Sequence, residues 1–269
     1  TRDESEHQWR VHGVVTQLGR QIRSRAVVIT TGTFLNGRIF VGDVAYEAGR
    51  AGEFASKGLS EDLADHGFEL GRLKTGTPPR VDARTIDFSS TSFQAGSDSP
   101  LEFSFDPVGK DEIMSLDPDS IFPGVLRDGW RVQMPCYSVE TTGRTHEIIR
   151  ANLDRAPMFT GSIKGTGPRY CPSIEDKIVR FPDKDSHQLF LEPEGFQTYE
   201  MYVQGANTSL PEDVQLAMLR SVPAMANCEM MRPGYAIEYD YVPSLQIGPT
   251  LESRAAQGLF LAGQINGTT

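Results

Sequence analysis

The chain has 269 residues, 38% hydrophobic and 23% charged, with 26 Lys and Arg against 36 Asp and Glu for a net charge of -10. That length supports one large domain or two smaller ones with buried cores, and the apolar content excludes a disordered chain. The acidic balance excludes a general nucleic-acid coat but not a local basic grip on one RNA, no apolar run approaches the roughly 18 residues of a membrane helix, and the charged start Thr1-Arg2-Asp3-Glu4-Ser5-Glu6 leads us to expect no secretion leader.

In chain order, Val11 to Val15 and Gln21 to Arg25 read as a hairpin turning at Leu18-Gly19-Arg20. Ala26-Val-Val-Ile-Thr-Thr-Gly32 reads as a buried strand, central in a parallel sheet, stopped by glycine. Residues 42–58 read as loop. Ser60 then reads as an N-cap with Glu61 and Asp62 behind it, opening a helix that ends at Gly67. Gly71 to Arg80 holds two glycines and two prolines, which argues against any regular element. Residues 88–130 read as loops around short strands. A helix is expected from about Thr145 to Leu153, closed by Pro157. Ile178–Phe181, Gln188–Leu191 and Glu200–Val203 are strand candidates for an antiparallel sheet. Ser209-Leu-Pro-Glu212 reads as a capping box opening a helix through Leu219. Ile237–Tyr241 and Gly258–Ala262 complete the strands. The fold class is α/β: a nucleotide-type domain in two segments, 1–95 and 246–269, with an inserted α+β domain over 96–245.

The cysteines Cys136, Cys171 and Cys228 are odd in number and widely spaced, without Cys-x-x-Cys. This argues against a disulfide framework or a structural zinc and fits a reducing compartment. His146, Glu192 and Glu194 make neither a metal site nor a catalytic triad, and no metal is expected. Glu192 and Glu194 flank Pro193, and His146 reads as a capping or surface residue. Arg72, Lys74, Arg80 and Arg84 around Asp82 form a basic run that either holds RNA phosphates or is solvated charge.

The stretch Gly161-Ser-Ile-Lys-Gly-Thr-Gly-Pro-Arg-Tyr-Cys-Pro-Ser-Ile-Glu-Asp-Lys-Ile-Val-Arg-Phe181 is specific. With Gly49-Arg-Ala-Gly52, Arg72-Leu-Lys-Thr-Gly-Thr-Pro-Pro-Arg80, Phe190-Leu-Glu-Pro-Glu-Gly195, Arg232-Pro-Gly-Tyr-Ala-Ile-Glu-Tyr-Asp240 and Gly263-Gln-Ile-Asn-Gly-Thr-Thr269, it resembles the GidA/MnmG family of flavoproteins. The resemblance runs from about Gly13 to the last residue. It implies an FAD/NAD(P)-binding Rossmann-like domain in the two outer segments. The Gly-x-Gly-x-x-Gly turn of that family is absent here, so the chain is expected to be an internal fragment.

The resemblance also implies roles. FAD contacts fall on Arg50, Ala51, Gly52, Ser56, Gly263, Gln264 and Asn266. Nicotinamide-nucleotide contacts fall on Gly167, Pro168, Arg169, Tyr170, Cys171, Pro172, Ser173, Ile174, Glu175, Asp176, Lys177, Ile178, Val179, Arg180 and Phe181. Cys171 is the catalytic candidate, a thiolate suited to adding to an electrophilic carbon. The parent activity would be addition of an aminomethyl-type or carboxymethylaminomethyl group to C5 of the wobble uridine of tRNA. NADH would reduce the flavin and methylene-tetrahydrofolate would donate the carbon. An MnmE-type GTPase would be the partner of a homodimer in a bacterial cytoplasm or an organelle. The alternatives are a folate- and FAD-dependent tRNA uridine methyltransferase and a non-catalytic tRNA- or partner-docking module.

Overall fold

The computed structural model describes residues 9–98, 101, 105, 119–125, 132–167 and 172–267. Its strands are β1 (Trp9–Arg10), β2 (Gly13–Val15), β3 (Gln21–Arg23), β4 (Val27–Ile29), β5 (Arg38–Val41), β6 (Val44–Glu47), β7 (Gly71–Thr77), β8 (Arg80–Asp82), β9 (Ser92–Gln94), β10 (Cys136–Glu140), β11 (Gln188–Pro193), β12 (Glu200–Gln204), β13 (Met230–Arg232), β14 (Tyr235–Tyr241), β15 (Ala256–Gln257) and β16 (Leu259–Leu261). The helices are α1 (Leu59–Asp65), α2 (Gly143–Arg150), α3 (Ile174–Arg180) and α4 (Glu212–Arg220).

Among the described residues, three sheets organise the molecule. A six-stranded antiparallel sheet has the order β13-β8-β12-β11-β10-β9, and a four-stranded antiparallel sheet has the order β6-β5-β14-β7. Strands β4 and β16, from the two ends of the chain, pair in parallel with Ile29 opposite Leu261. The fold is mixed α/β, as expected, with a parallel pair joining distant segments and antiparallel sheets between them. The β2–β3 hairpin is also present, with Val14 opposite Ile22.

The largest core lies over the six-stranded sheet and draws on Val81, Ile149, Ile174, Ile178, Leu191, Met201 and Met225, all at most 1% exposed. A second core beside β4 and β16 gathers Ile29, Leu35, Leu63, Phe68 and Leu261. A small third cluster holds Ile39, Ala48 and Ile237 between β5 and β14.

Several local expectations are corrected. Gly71–Thr77 is a strand, paired residue for residue with Tyr235–Tyr241. Its first glycine is what the pairing requires, because a Cβ on Gly71 would come within 2.5 Å of the Tyr241 ring, and the prolines fall just past the strand end. Val44–Glu47, within the expected loop, pairs with β5. The Ala26–Thr31 strand is not wholly buried, since Val28 is 60% exposed. Ser60 lies inside α1, whose N-cap is Gly58 in the left-handed region; the Ser60 hydroxyl instead donates to Asp240 at 2.6 Å. Residues 178–181 belong to helix α3 and its C-cap, since Ile174 and Ile178, four apart, enter the core together. Helix α4 has no side-chain cap; Ser209 is turned inward, its amide donating to Glu175. His146 is buried at 2% exposure rather than on the surface, its Nε2 2.8 Å from Thr141 Oγ1.

Candidate cofactor site

Strands β4 and β16 end side by side, and each is followed within three residues by a glycine of positive φ, Gly32 at 55° and Gly263 at 81°. Nothing lies within 4 Å of where a Cβ would stand on either one, nor on Gly52, whose φ is 82°. A side-chain-free shelf at the carboxyl ends of parallel strands is where open α/β sheets take up nucleotides. The Thr31 hydroxyl beside it is buried with no hydrogen-bond partner among the described residues. Bare backbone and an orphaned hydroxyl fit a flat, polar-edged group such as a flavin nucleotide.

Of the residues expected to hold FAD, Gly263 is exposed on this shelf. Gln264 follows it, its Oε1 accepting the Tyr239 hydroxyl. Asn266 is buried at 1% exposure, and its Nδ2 donates to the Leu261 carbonyl at 2.9 Å, a bond that supports the turn after β16. Ser56 is half-buried and aligned with Leu35 through a parallel bridge. Its amide donates to Phe34 O and its carbonyl accepts from Asn36 N. Arg50 is exposed, and its guanidinium is paired with Glu53 three residues on.

The Ala51 amide donates to the Tyr235 hydroxyl at 3.3 Å. Tyr235 also walls a small cavity with Lys74, Gly76, Met158, Ser173 and Thr208. One tyrosine thus bridges the expected flavin loop and the expected nicotinamide segment. Tyr235 lies within the Arg232–Asp240 motif that carries the family resemblance, which implies no role for it. The available signal was its place at the start of an apolar strand directly after Pro233-Gly234.

In the nicotinamide segment, residues 168–171, including Pro168, Arg169, Tyr170 and the catalytic candidate Cys171, lie outside the described residues. Gly167 is exposed beside the Lys74 side chain. Pro172 is half-buried, and Ser173 caps α3 in a reciprocal box with Asp176. The Ile174 and Ile178 side chains are part of the largest core. Val179, Arg180 and Phe181 are exposed at the far end of the helix. The Lys177 ammonium donates to the Gly205 carbonyl at 2.9 Å. Glu175 is fully buried; its Oε1 accepts from Thr208 Oγ1 at 2.8 Å and from the Ser209 amide at 3.1 Å, and burial pushes its carboxyl up.

The basic run is mostly consumed by carboxylates. Arg72 and Lys74 share one face of β7, while Glu238 and Asp240 share the facing side of β14, with Asp240 opposite Arg72 and Glu238 opposite Lys74. Cross-strand pairing of opposite charges follows from that register. Arg72 Nη1 lies 2.8 Å from Asp240 Oδ1, Arg80 Nε 2.9 Å from Glu194 Oε1, and Arg84 Nη2 2.6 Å from Asp82 Oδ2. Cys136 and Cys228 are thiols whose pKa values burial raises, which makes them poor nucleophiles. Among the described residues no group of His, Cys, Asp and Glu is placed to hold a metal, and no helix is long and apolar enough to cross a membrane.

The molecule is therefore a mixed α/β protein with a nucleotide-type shelf at its parallel strand ends. The chain belongs to the family described as glucose inhibited division protein A, whose model matches residues 4–269. It is 60% identical over 263 residues to the tRNA uridine 5-carboxymethylaminomethyl modification enzyme MnmG of Roseiflexus sp. (strain RS-1), covering 96% of this chain and 39% of that protein. The MnmG of Bacillus subtilis (strain 168) is 52% identical over 257 residues, covering 96% of this chain and 38% of that one. Among solved structures, Aquifex aeolicus GidA in its form I crystal superposes with a TM-score of 0.82 at 51% identity, over 97% of this chain and 41% of that chain. The chain thus spans about two-fifths of the length of the proteins it matches.

Proposed function

We propose that this chain is the central part of an FAD-dependent enzyme that installs a carboxymethylaminomethyl-type group at C5 of the wobble uridine of tRNA. The reading rests first on the 60% identity to a protein bearing that name. Arg50, Ala51, Gly52, Ser56, Gly263 and Gln264 would line the flavin, and Gly167 to Ser173 the nicotinamide of NADH. Asn266 supports the shelf from behind. A bound flavin supplies hydride transfer. The protein supplies backbone open to a ligand at Gly32, Gly52 and Gly263, a wall at Tyr235 between the two loops, and a thiol at Cys171 for the uracil ring. Methylene-tetrahydrofolate as carbon donor, an MnmE-type GTPase partner, a homodimer and a cytoplasmic or organellar setting belong to the same proposal. So does the division into two outer segments and an insertion. The outer segments of that division are residues 1–95 and 246–269 and the insertion is 96–245.

Cys171→Ser in the longer protein tests this reading. FAD absorbance and NADH-dependent flavin bleaching are expected to persist while modified uridine in tRNA digests disappears. Failure to retain FAD in the unmutated protein, or wild-type modification by Cys171→Ser, overturns it.

A further inference from the structure

Near the end of β14 stands a buried carboxylate, Asp240, at 8% exposure. A buried carboxylate must be matched by donors, and the donors that meet this one come from three separate segments. Its Oδ1 accepts from Arg72 Nη1 at 2.8 Å. Its Oδ2 accepts from Asn36 Nδ2 at 2.7 Å and from Ser60 Oγ at 2.6 Å. Neutralising Arg72 alone would need neither of the last two. Arg72 Nη1 also donates to the Asn36 carbonyl at 3.0 Å, and the Asp240 amide donates to the Leu35 carbonyl at 2.8 Å. Residues 35 and 36 are therefore gripped at both carbonyls and at the Asn36 side chain. Asn36 has a φ of 46°, a left-handed conformation that asparagine tolerates better than most residues.

The turn gripped in this way carries the expected flavin loop. It follows Gly32 of the shelf directly, with the Phe34 amide donating to Thr31 O at 2.9 Å. The loop enters against it: Thr33 Oγ1 donates to Gly49 O at 2.7 Å, Ala48 N donates to Gly37 O at 3.1 Å, and a Cβ on Gly49 would overlap the Phe34 ring. The loop also leaves on it. Ser56 N donates to Phe34 O at 2.8 Å, Asn36 N donates to Ser56 O at 3.0 Å, and just beyond, Ser60 reaches Asp240 itself. Between these anchors Arg50, Ala51 and Gly52 are exposed, so their place depends on the anchors and on the Ala51 bond to Tyr235 at the other end of β14. The end of β14 holds the second half of the shelf as well. The Tyr239 hydroxyl donates to Gln264 Oε1, and Val242 N donates to Ile265 O at 2.7 Å.

We propose that Asp240 is a positioning residue for the flavin: by clamping the Leu35–Asn36 turn from β14, it fixes the 49–56 loop relative to the shelf of Gly32 and Gly263. The role needs acceptors on both carboxylate oxygens and involves no contact with the cofactor. The inference rests on the reading of this loop and shelf as the FAD site.

The test is made on the longer protein, by FAD titration and by the visible circular dichroism of the bound flavin. Asp240→Ala is expected to raise the Kd for FAD about tenfold, the size of effect that cutting a linking network produces, and to change the dichroism, which reports the surroundings of the ring. Asn36→Gly removes only the side-chain amide and leaves the left-handed backbone unstrained. It is expected to weaken FAD in the same direction, and it decides the matter if Asp240→Ala does not fold. Asn36→Asp joined to Asp240→Asn exchanges acceptor and donor, reforms the bond between the two positions and still offers Arg72 an oxygen. That swap is expected to return Kd to within about threefold of wild type, with wild-type dichroism. Leu191→Ala, in the core of the six-stranded sheet, loosens the protein elsewhere and is expected to leave Kd unchanged. Wild-type Kd and dichroism in Asn36→Gly overturn the inference, as does a swap that binds FAD no better than Asn36→Gly, or an equal loss of FAD in Leu191→Ala. If the unmutated protein binds no FAD, the reading beneath the inference falls; if it binds FAD and the Asp240 and Asn36 variants bind it equally well, only the inference falls.

Discussion

His146 and His187 lie with ring centroids 5.3 Å apart, both buried. Burial pushes both imidazoles below the ordinary 6.5, with Arg150 adding to the effect on His146 and Asp185 opposing it. His146, Lys177 and Lys184 add to the effect on His187, whose Nε2 is buried with no partner among the described residues. The folded protein therefore holds both rings neutral, while the unfolded chain takes up protons below about pH 6.5. Stability is complete above that pH and is lost as pH falls toward the depressed native values. The midpoint of thermal unfolding should drop between about pH 7.5 and about pH 5.5, and His187→Gln should make that slope shallower. Parallel slopes for the two proteins would refute the assignment. Glu175 acts in the opposite sense: burial raises its pKa above the ordinary 4.5, so its ionisation penalises the fold as pH rises. Glu175→Gln keeps the acceptor for Thr208 and Ser209 and removes that penalty. Its unfolding midpoint at about pH 8 should equal or exceed that of the wild type, and a clear loss would mean the carboxylate is ionised and paired in the native state.

Caps and cross-strand register explain which elements were legible in the sequence. Helix α2 is set by Thr142, whose side chain and that of Thr145 cap each other's amides, and α3 by the same device at Ser173 and Asp176. Thr142→Ala and Ser173→Ala should each cost about 1 kcal/mol, read from chemical denaturation of each variant. The Ser173 variant should additionally weaken NADH binding, since Ser173 walls the cavity with Lys74 and Tyr235. Wild-type stability in both would show that neighbouring contacts, such as Ile174 N to Asn207 O at 2.7 Å, carry those helix starts. The β2–β3 hairpin, β11, β12, β14 and β16 were legible because their alternation or apolar runs are local. Strand β7 was not, because Gly71, Gly76 and the two prolines just past its end read as breakers until Tyr241 and Ala236 are known to lie opposite the two glycines. Nor was the α3 helix, whose short Ile-Val-Arg-Phe run suits a strand equally well.

Across the whole molecule, the separate cores predict separable responses. Leu191 in the largest core and Leu261 in the second are each 0% exposed. Truncating either to Ala should cost about 2–5 kcal/mol. Leu191→Ala should raise amide exchange chiefly in β10 to β12, and Leu261→Ala chiefly in β4 and β16. Uniform loosening in both variants would mean that the sheets open as one unit.

By itself the sequence determined the fold class, the family and the order of the segments that carry the candidate site, because those depend on local pattern and on long motifs in series. It also placed glycines at the shelf, since a strand ending in glycine is visible without a structure. The tertiary structure decided which polar groups those motifs spend on one another. The basic run at Arg72 to Arg84 reads either as a phosphate grip or as solvated charge until β14 brings Glu238 and Asp240 against its first half and Glu194 and Asp82 meet Arg80 and Arg84. The Asn266 side-chain amide, in a segment expected to meet FAD, is spent on the Leu261 carbonyl. The physical reason is the same in both cases. A buried charge or amide must be satisfied wherever the fold puts it, and its partner can stand 168 residues away, as Asp240 does from Arg72.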